Sequence, residues 1–301
     1  MNRKAFGKLL TLLRKQQRDH HGNLFTQARL AQVTGLSEIV IGNLERGTKE
    51  KLEPDLLLKL VHAFQLNTQE RKEFLLAASN VDQTQIFQTE ELVGKVFDTL
   101  LPILKQLHTP AFISDCFGDV IYVNPIALAL FNLDLASLLE IPATQAVRFN
   151  LMRILFAPSF AEQRKMMNAD WPAFARQTML LFRMTGFRYQ AHPYFQEALL
   201  PELMQLPLFR QYWQAPRTEE DDLFTNLNGM TFAHPAWGLL KFVSDPIQAT
   251  TPFGEVNLYA LHPLSLGTTQ ACLEIATQTG IGAFPLAPWP NPAFLEEPSF
   301  F

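Results

Sequence analysis

The chain has 301 residues, 48% hydrophobic and 18% charged, an apolar share that excludes a disordered polymer and suffices for two domains with a sizeable core. Its net charge of −4 is unevenly spread: residues 1–79 carry 13 Lys and Arg against 8 Asp and Glu, the remainder 12 against 21, so one end is suited to a polyanion. Two isolated cysteines, Cys116 and Cys272, exclude a disulfide framework or a cysteine metal cage, and with neither a long apolar run nor a leader-like start the expectation is a soluble, cytoplasmic protein with no membrane partner.

Phe6, Leu9, Leu10 and Leu13 recur at helical spacing and predict a first helix with Lys4, Lys8, Arg14 and Lys15 elsewhere on its surface. Thr26 caps a second short helix with Leu30 and Val33 inward; after a tight turn at Thr34-Gly35-Leu36, Ser37 caps a third, with Ile41 and Leu44 inward and Gly47 as its left-handed exit. Pro54 opens a fourth helix and Thr68 a fifth, giving an all-α domain over residues 1–79. Gly42 costs about 1 kcal/mol relative to Ala inside a helix and marks an expected close approach to a backbone.

The stretch "TQARLAQVTGLSEIVIGNLERG", followed by "LLLKLVHAFQL", resembles the helix-turn-helix domain of the XRE/Cro family of transcription regulators. That resemblance implies double-stranded DNA as partner and places Gln27, Glu38, Ile39, Val40 and Asn43 toward base edges, the second helix of the motif entering the major groove. No positive charge lies between Ser37 and Leu44. Glu38 could accept from a cytosine amino group, Asn43 could pair with adenine, and Ile39 or Val40 could meet thymine methyls. Affinity then falls to phosphate contacts from Arg3, Lys4, Lys8, Arg14, Lys15, Arg18, Arg46, Lys49 and Lys51, with Ser37 completing the expected interface. The competing reading buries Ile39 and Val40 in a protein-interaction module; it is opposed by Ile41 and Leu44, which already define the inward side.

Residues 80–91 read as a polar linker, and 92–282 as an α+β domain. Leu92, Val96, Phe97, Leu100, Leu101 and Leu104 form a helical stripe; "PAFISDCFGDVIYVNP" then signals a hairpin around Gly118-Asp119, and "GMTFAHPAWGLLKFV" with "GEVNLYALHP" adds three strands. The expected architecture is an antiparallel sheet of five short strands with helices on one face, split by a helical insert over about Asn150 to Gln214. Within the insert, Trp171, Phe174, Thr178, Met179 and Phe182 follow helical spacing behind an expected Asp170 cap, and Phe209 falls beside Tyr212-Trp213.

The blocks "TPAFISDCFGDVIYVNPIALALF", "NLMRILF", "DWPAFARQTMLLFR", "LPLFRQYW", "FAHPAWGLLKF" and "NLYALHP" together resemble the ligand-binding domain of MmyB-like transcription regulators. The resemblance implies a PAS-like fold and a sensor for a fatty acid or similar lipid. Phe112, Ile121, Trp171, Phe174, Phe182, Phe209, Trp213, Phe232, Leu240 and Tyr259 are the candidate apolar walls of a pocket, and Arg153, Arg183 or His234 the candidate anchor for a carboxylate head. Plain core packing competes with the pocket at each aromatic.

The proline- and phenylalanine-rich tail, residues 283–301, is expected to dock on its own domain, plug a pocket mouth or cross a dimer. The seven His residues show no metal-ligand spacing, "TEEDD" at 218–222 lacks the alternation of a calcium loop, and no nucleophile carries a base by spacing, so neither metal, catalytic residue nor cofactor is expected. These features describe a DNA-binding transcription regulator, expected as a homodimer, whose C-terminal domain senses a small apolar, fatty-acid-like ligand. A constitutive DNA-binding scaffold whose large domain binds a protein is the alternative.

Overall fold

The computed structural model describes residues 2–18, 22–79, 89–140, 147–167, 170–215, 229–251 and 253–292. Most of the expected linker, the acidic run 218–222, and Phe294, Phe300 and Phe301 lie outside the described residues. Five helices come first: α1 (Arg3–Gln16), α2 (Gln27–Thr34), α3 (Glu38–Arg46), α4 (Pro54–Ala63) and α5 (Thr68–Ala78). Thr26 accepts from the Arg29 amide, Ser37 from the Val40 amide, and Asn67 forms a reciprocal capping box with Glu70, each satisfying donors that a helix start leaves open. Phe6, Leu9, Leu30, Ile41, Leu60 and Phe74 meet in one core, each burial stabilising by roughly 1.5–3 kcal/mol.

Close packing of α1 on α3 depends on two glycines. A Cβ at Gly7 would run into the Glu45 carbonyl oxygen, and Gly47, at φ 69°, lies against the Arg3 backbone, so a larger residue at either would push the helices apart. Gly42 is not that point of contact, since a Cβ there would meet only the Arg46 guanidinium. Two further expectations change. Val33 is 45% exposed, because Leu30, Ala31 and Thr34 supply the buried stripe of α2. Arg14 turns inward to pair with Glu45 at 2.6 Å and to donate to the Phe25 carbonyl, which removes it from the phosphate-contacting set.

In the C-terminal part, α6 (Thr89–Gln106) precedes the hairpin β1 (Ala111–Ser114) and β2 (Val120–Val123). Strands β3 (Met230–His234), β4 (Gly238–Thr251), β5 (Gly254–Pro263) and β6 (Phe284–Pro285) complete an antiparallel sheet in the order β3-β4-β5-β1-β2-β6. Successive strand residues face opposite sides, and both sides are covered. Ala111, Ile113, Val256, Leu258 and Ala260 pack with Val96, Leu100 and Leu104 of α6. Phe112 and Tyr259, paired across the strands, stack with ring centroids 5.2 Å apart on the other side. Helices therefore lie on both faces, where one was expected; β5 is buried at seven of its first eight positions, a pattern of two-sided cover.

Strand β4 is also longer than expected, running 14 residues through Pro246. Among the described residues its pairing with β3 involves only Gly238–Phe242, which leaves β5 as the one described partner at Pro246, the kind of edge position at which a strand tolerates proline. Between β2 and β3 lie α7 (Pro125–Leu130) and α8 (Leu135–Glu140), then the insert, which forms α9 (Leu151–Phe156), α10 (Ala161–Met167), α11 (Trp171–Thr185), α12 (Leu200–Leu203) and α13 (Pro207–Gln214), with a 3-10 turn at Phe187–Tyr189 and a π-helical turn at Tyr194–Leu199. Asp170 precedes α11 but makes no side-chain capping bond. A further helix, α14 (Leu266–Thr279), packs on α7, β4 and β5; its buried positions include the small Ala271, Cys272 and Ala276, which leave a faint apolar stripe in the sequence.

The two parts meet at the 3-10 turn. Phe187 is fully buried inside the core built by α1–α5, with Ala191 packed beside it. Arg188 pairs with Glu73 of α5 at 2.6 Å and also with Glu255 of β5, and Tyr189 donates to the same Glu255 carboxylate.

Candidate functional site: an apolar cavity and an exposed helix face

A cavity of about 160 Å³ lies between the sheet and the insert. Phe112 and Tyr259 come from the sheet, Leu128 from α7, Phe174 and Phe182 from α11, and Leu286 from the tail. The tail is held there by β6, which pairs with Tyr122 and Val123 of β2, and by Trp289, whose ring meets Phe97 of α6 edge-on at 5.0 Å. As far as residue 292, then, the tail docks on its own domain and contributes one wall of the cavity.

Four of the thirteen residues expected around a ligand line this space: Phe112, Phe174, Phe182 and Tyr259. The other nine do not. Ile121 faces α6; Phe232 and Leu240 pack with Phe242 and Cys272; Phe209 stacks on Trp213 at 5.7 Å, and Trp171 meets Phe156 edge-on. These aromatics satisfy one another in offset or edge contacts. The three expected anchors are engaged elsewhere: Arg153 pairs with Glu202 at 3.3 Å, Arg183 donates to the Trp213 carbonyl and covers its ring, and His234 Nδ1 accepts from the Ala236 amide.

The polar lining is instead supplied by Ser114, Asp115, Gln177, Thr178, Thr185 and Ser244, together with the Tyr259 phenol. Thr178 and Thr185 donate to carbonyls of their own helix. Asp115 is 2% exposed. Its Oδ1 accepts from the amides of Phe117 and Asp119, both at 2.9 Å, which shapes the turn between β1 and β2; its Oδ2 has no hydrogen-bond partner.

Asp119, also buried, is fully engaged. Asn150 donates to its Oδ1, while Tyr194 and Asn291 donate to its Oδ2 at 2.8 and 2.9 Å, so one carboxylate ties together the hairpin, the start of α9, the π-helical turn and the tail. Burial raises the pKa of both aspartates, and the neighbouring Asp119 charge adds to the rise at Asp115. Hydrogen bonds from Asn150, Tyr194 and Asn291 counter the rise at Asp119, and backbone amides counter it at Asp115. Burial also pushes the Tyr259 phenol up to about 12. Nothing in the helical or strand periodicity flagged Asp115 and Asp119; the only hint was "SDCFGD", two carboxylates flanking a hairpin turn.

On the helical side, α2 and α3 are joined by a turn through Gly35 in the left-handed conformation. Glu38 and Ile39 are exposed, Ile39 at 74%, while Val40 is half-buried and packs on the core. Asn43 is half-buried, its Oδ1 accepting from Arg46 at 2.7 Å, and Gln27 donates to Glu45 Oε2 at 2.6 Å. Ser37 is exposed and spends its hydroxyl on the cap. Lys49 pairs with Glu53 and Arg3 donates to the Ala78 carbonyl, whereas Lys4, Lys8, Lys15, Arg18, Arg46 and Lys51 are exposed.

Among the described residues, no group of His, Cys, Asp and Glu could hold a metal ion, and no helix is long and apolar enough to cross a membrane. No curated protein matches the chain. The family model of the MmyB-like transcription regulator ligand binding domain matches residues 96–274, from the buried start of the α6 stripe to the middle of α14 and including both aspartates. That match covers more than half of the chain, which therefore belongs to the family of MmyB-like transcription regulators with a ligand-binding domain.

Proposed function

We propose that the protein is a one-component transcription regulator, in which α2 and α3 act as an XRE/Cro-type helix-turn-helix on duplex DNA and the C-terminal domain senses a small apolar molecule with a fatty-acid-like chain. The observation that carries this reading is the apolar cavity set one turn from the contact between the two parts. Helix α11 lines the cavity through Phe182 and Thr185, and the next residues but one, Phe187 and Arg188, enter the helical core and its ion pairs. Support for the DNA face comes from the exposed Glu38 and Ile39 with exposed cations around them, the pairing of a base-reading edge with phosphate-binding flanks.

In this reading the ligand acts only through a difference in affinity between two arrangements of the chain. A chain filling the cavity presses on α11, and α11 carries the turn that holds the helical domain. A homodimer is proposed with it, matching a two-fold operator. Mass spectrometry of an organic extract of the purified protein, together with calorimetric titration of decyl-chain compounds, tests the sensor role. A small molecule at stoichiometric amount, or saturable binding at one site, is expected. An empty extract and no saturable binding would leave the alternative, a scaffold that engages a protein.

A further inference from the structure

We infer that the cavity selects a chain whose polar end is uncharged, such as an alcohol or amide, and that it disfavours a carboxylate. The inference rests on the reading of this cavity as the ligand site, and names the head group that reading leaves open.

Three observations carry it. First, among the described residues lining the cavity there is no Lys, Arg or His. An anion entering it would lose its water without gaining a cation, which costs several kcal/mol. Secondly, the ionisable carboxyl at the wall is Asp115, with the Asp119 carboxylate beside it in the same hairpin turn. A ligand carboxylate would add another negative charge to this buried pair. Thirdly, Asp115 Oδ2 still lacks a hydrogen-bond partner, although Oδ1 accepts from two amides. A buried polar atom left in this state is costly unless something completes it.

Burial and the nearby Asp119 charge raise the Asp115 pKa well above the ordinary carboxylate value, in keeping with a site that disfavours a further anion. A hydroxyl or amide head, able to donate or accept, would complete the open Oδ2. The remaining lining groups, Ser114, Gln177, Ser244 and the Tyr259 phenol, are all neutral and equally suited to an uncharged head. The sources of ligand Arg153, Arg183 and His234 were expected to serve are thereby separated from this one: they pair with Glu202, Trp213 and Ala236, away from the cavity.

The test uses the full-length chain and four probes that share one tail: decanol, decanamide, decanoate and decylamine, each titrated by calorimetry near neutral pH. Decanol and decanamide are expected to bind at least about ten-fold more tightly than decanoate. In Asp115→Leu the advantage of decanamide over decanoate should shrink, while Asp115→Asn, which keeps a neutral donor and an acceptor for the two amides, should retain it. Decanoate or decylamine binding more tightly than both neutral probes to the unmodified protein would overturn the head-group assignment and leave the cavity as a ligand site. If none of the four binds saturably, the reading of the cavity itself fails. The comparison on the unmodified chain needs no variant to fold.

Discussion

The guanidinium of Arg188, carried by the C-terminal domain, lies 2.6 Å from the carboxylate of Glu73 on α5. The same side chain pairs with Glu255 on β5, so one arginine bridges the helical domain and the sheet. Burial alone would lower the Arg188 pKa, but the surrounding Tyr189, Glu255 and Glu73 raise it overall. Burial raises that of Glu73. Removing Arg188 would leave two carboxylates with little solvent and without their shared cation. Arg188→Ala should destabilise the protein by about 3 kcal/mol, read as a fall in the urea midpoint. Lys165→Ala, which breaks an exposed pair with Glu162, should change stability by less than about 0.5 kcal/mol. Equal effects from the two would refute the bridge.

Phe187 is the apolar counterpart of that bridge. It is fully buried in a core otherwise made by α1–α5. Truncation to Ala removes its packing and leaves a hole at the junction, with an expected cost of about 3–5 kcal/mol. Because the contact joins two cores, calorimetry of Phe187→Ala should resolve two melting transitions. A single transition at an unchanged temperature would contradict the docking.

His192 sits close behind this contact, 1% exposed, its Nδ1 accepting from the Tyr194 amide. Burial, with Lys8 of α1 nearby, lowers its pKa to about 4 from 6.5. The folded state therefore favours neutral His192, and the unfolded chain binds the proton first. Its contribution to stability is fully present above pH 6.5 and is lost as pH falls from there toward about 4. His192→Asn, which keeps an acceptor for Tyr194, should flatten that limb of the stability–pH curve relative to the unmodified protein. Curves that stay parallel through this window would show that His192 does not contribute to it.

On α3, Glu38→Gln and Ile39→Ala touch exposed side chains. Both variants should keep their melting temperatures while changing which sequences are enriched from a random duplex pool. Binding of the enriched duplex should weaken steeply as salt rises, through the phosphate contacts of the surrounding cations. Variants that enrich the same sequences as the parent would remove α3 from base recognition.

The helical domain was largely legible because its signals are local. Thr26 and Ser37 as caps, Gly47 as an exit and Pro54 at a helix start each act within four residues. Arg14 was misread because its partner Glu45 lies 31 positions away, and sequence periodicity shows an exposed face without showing what folds onto it. The five expected strands were marked by short β-rich runs between turn signals, whereas the second half of β4, which runs through Pro246, and β6 in the proline-rich tail were not. The cavity was the least legible part. Phe174 and Phe209 look alike in sequence, yet one lines the space and the other is sealed by Phe156 and Trp213. The carboxyl lining the cavity is that of Asp115, whereas the expected fatty-acid ligand pointed to Arg and His.

In the proposed regulator, occupancy of the cavity governs DNA binding through the Phe187–Arg188 junction. The most direct test is fluorescence anisotropy of the enriched duplex, titrated with full-length protein with and without a decyl-chain probe that calorimetry shows to be bound. A shift in Kd of about five-fold or more is expected on saturation, with loss of that shift in Phe187→Ala. A probe that fills the cavity while the DNA titration curves superimpose would contradict it.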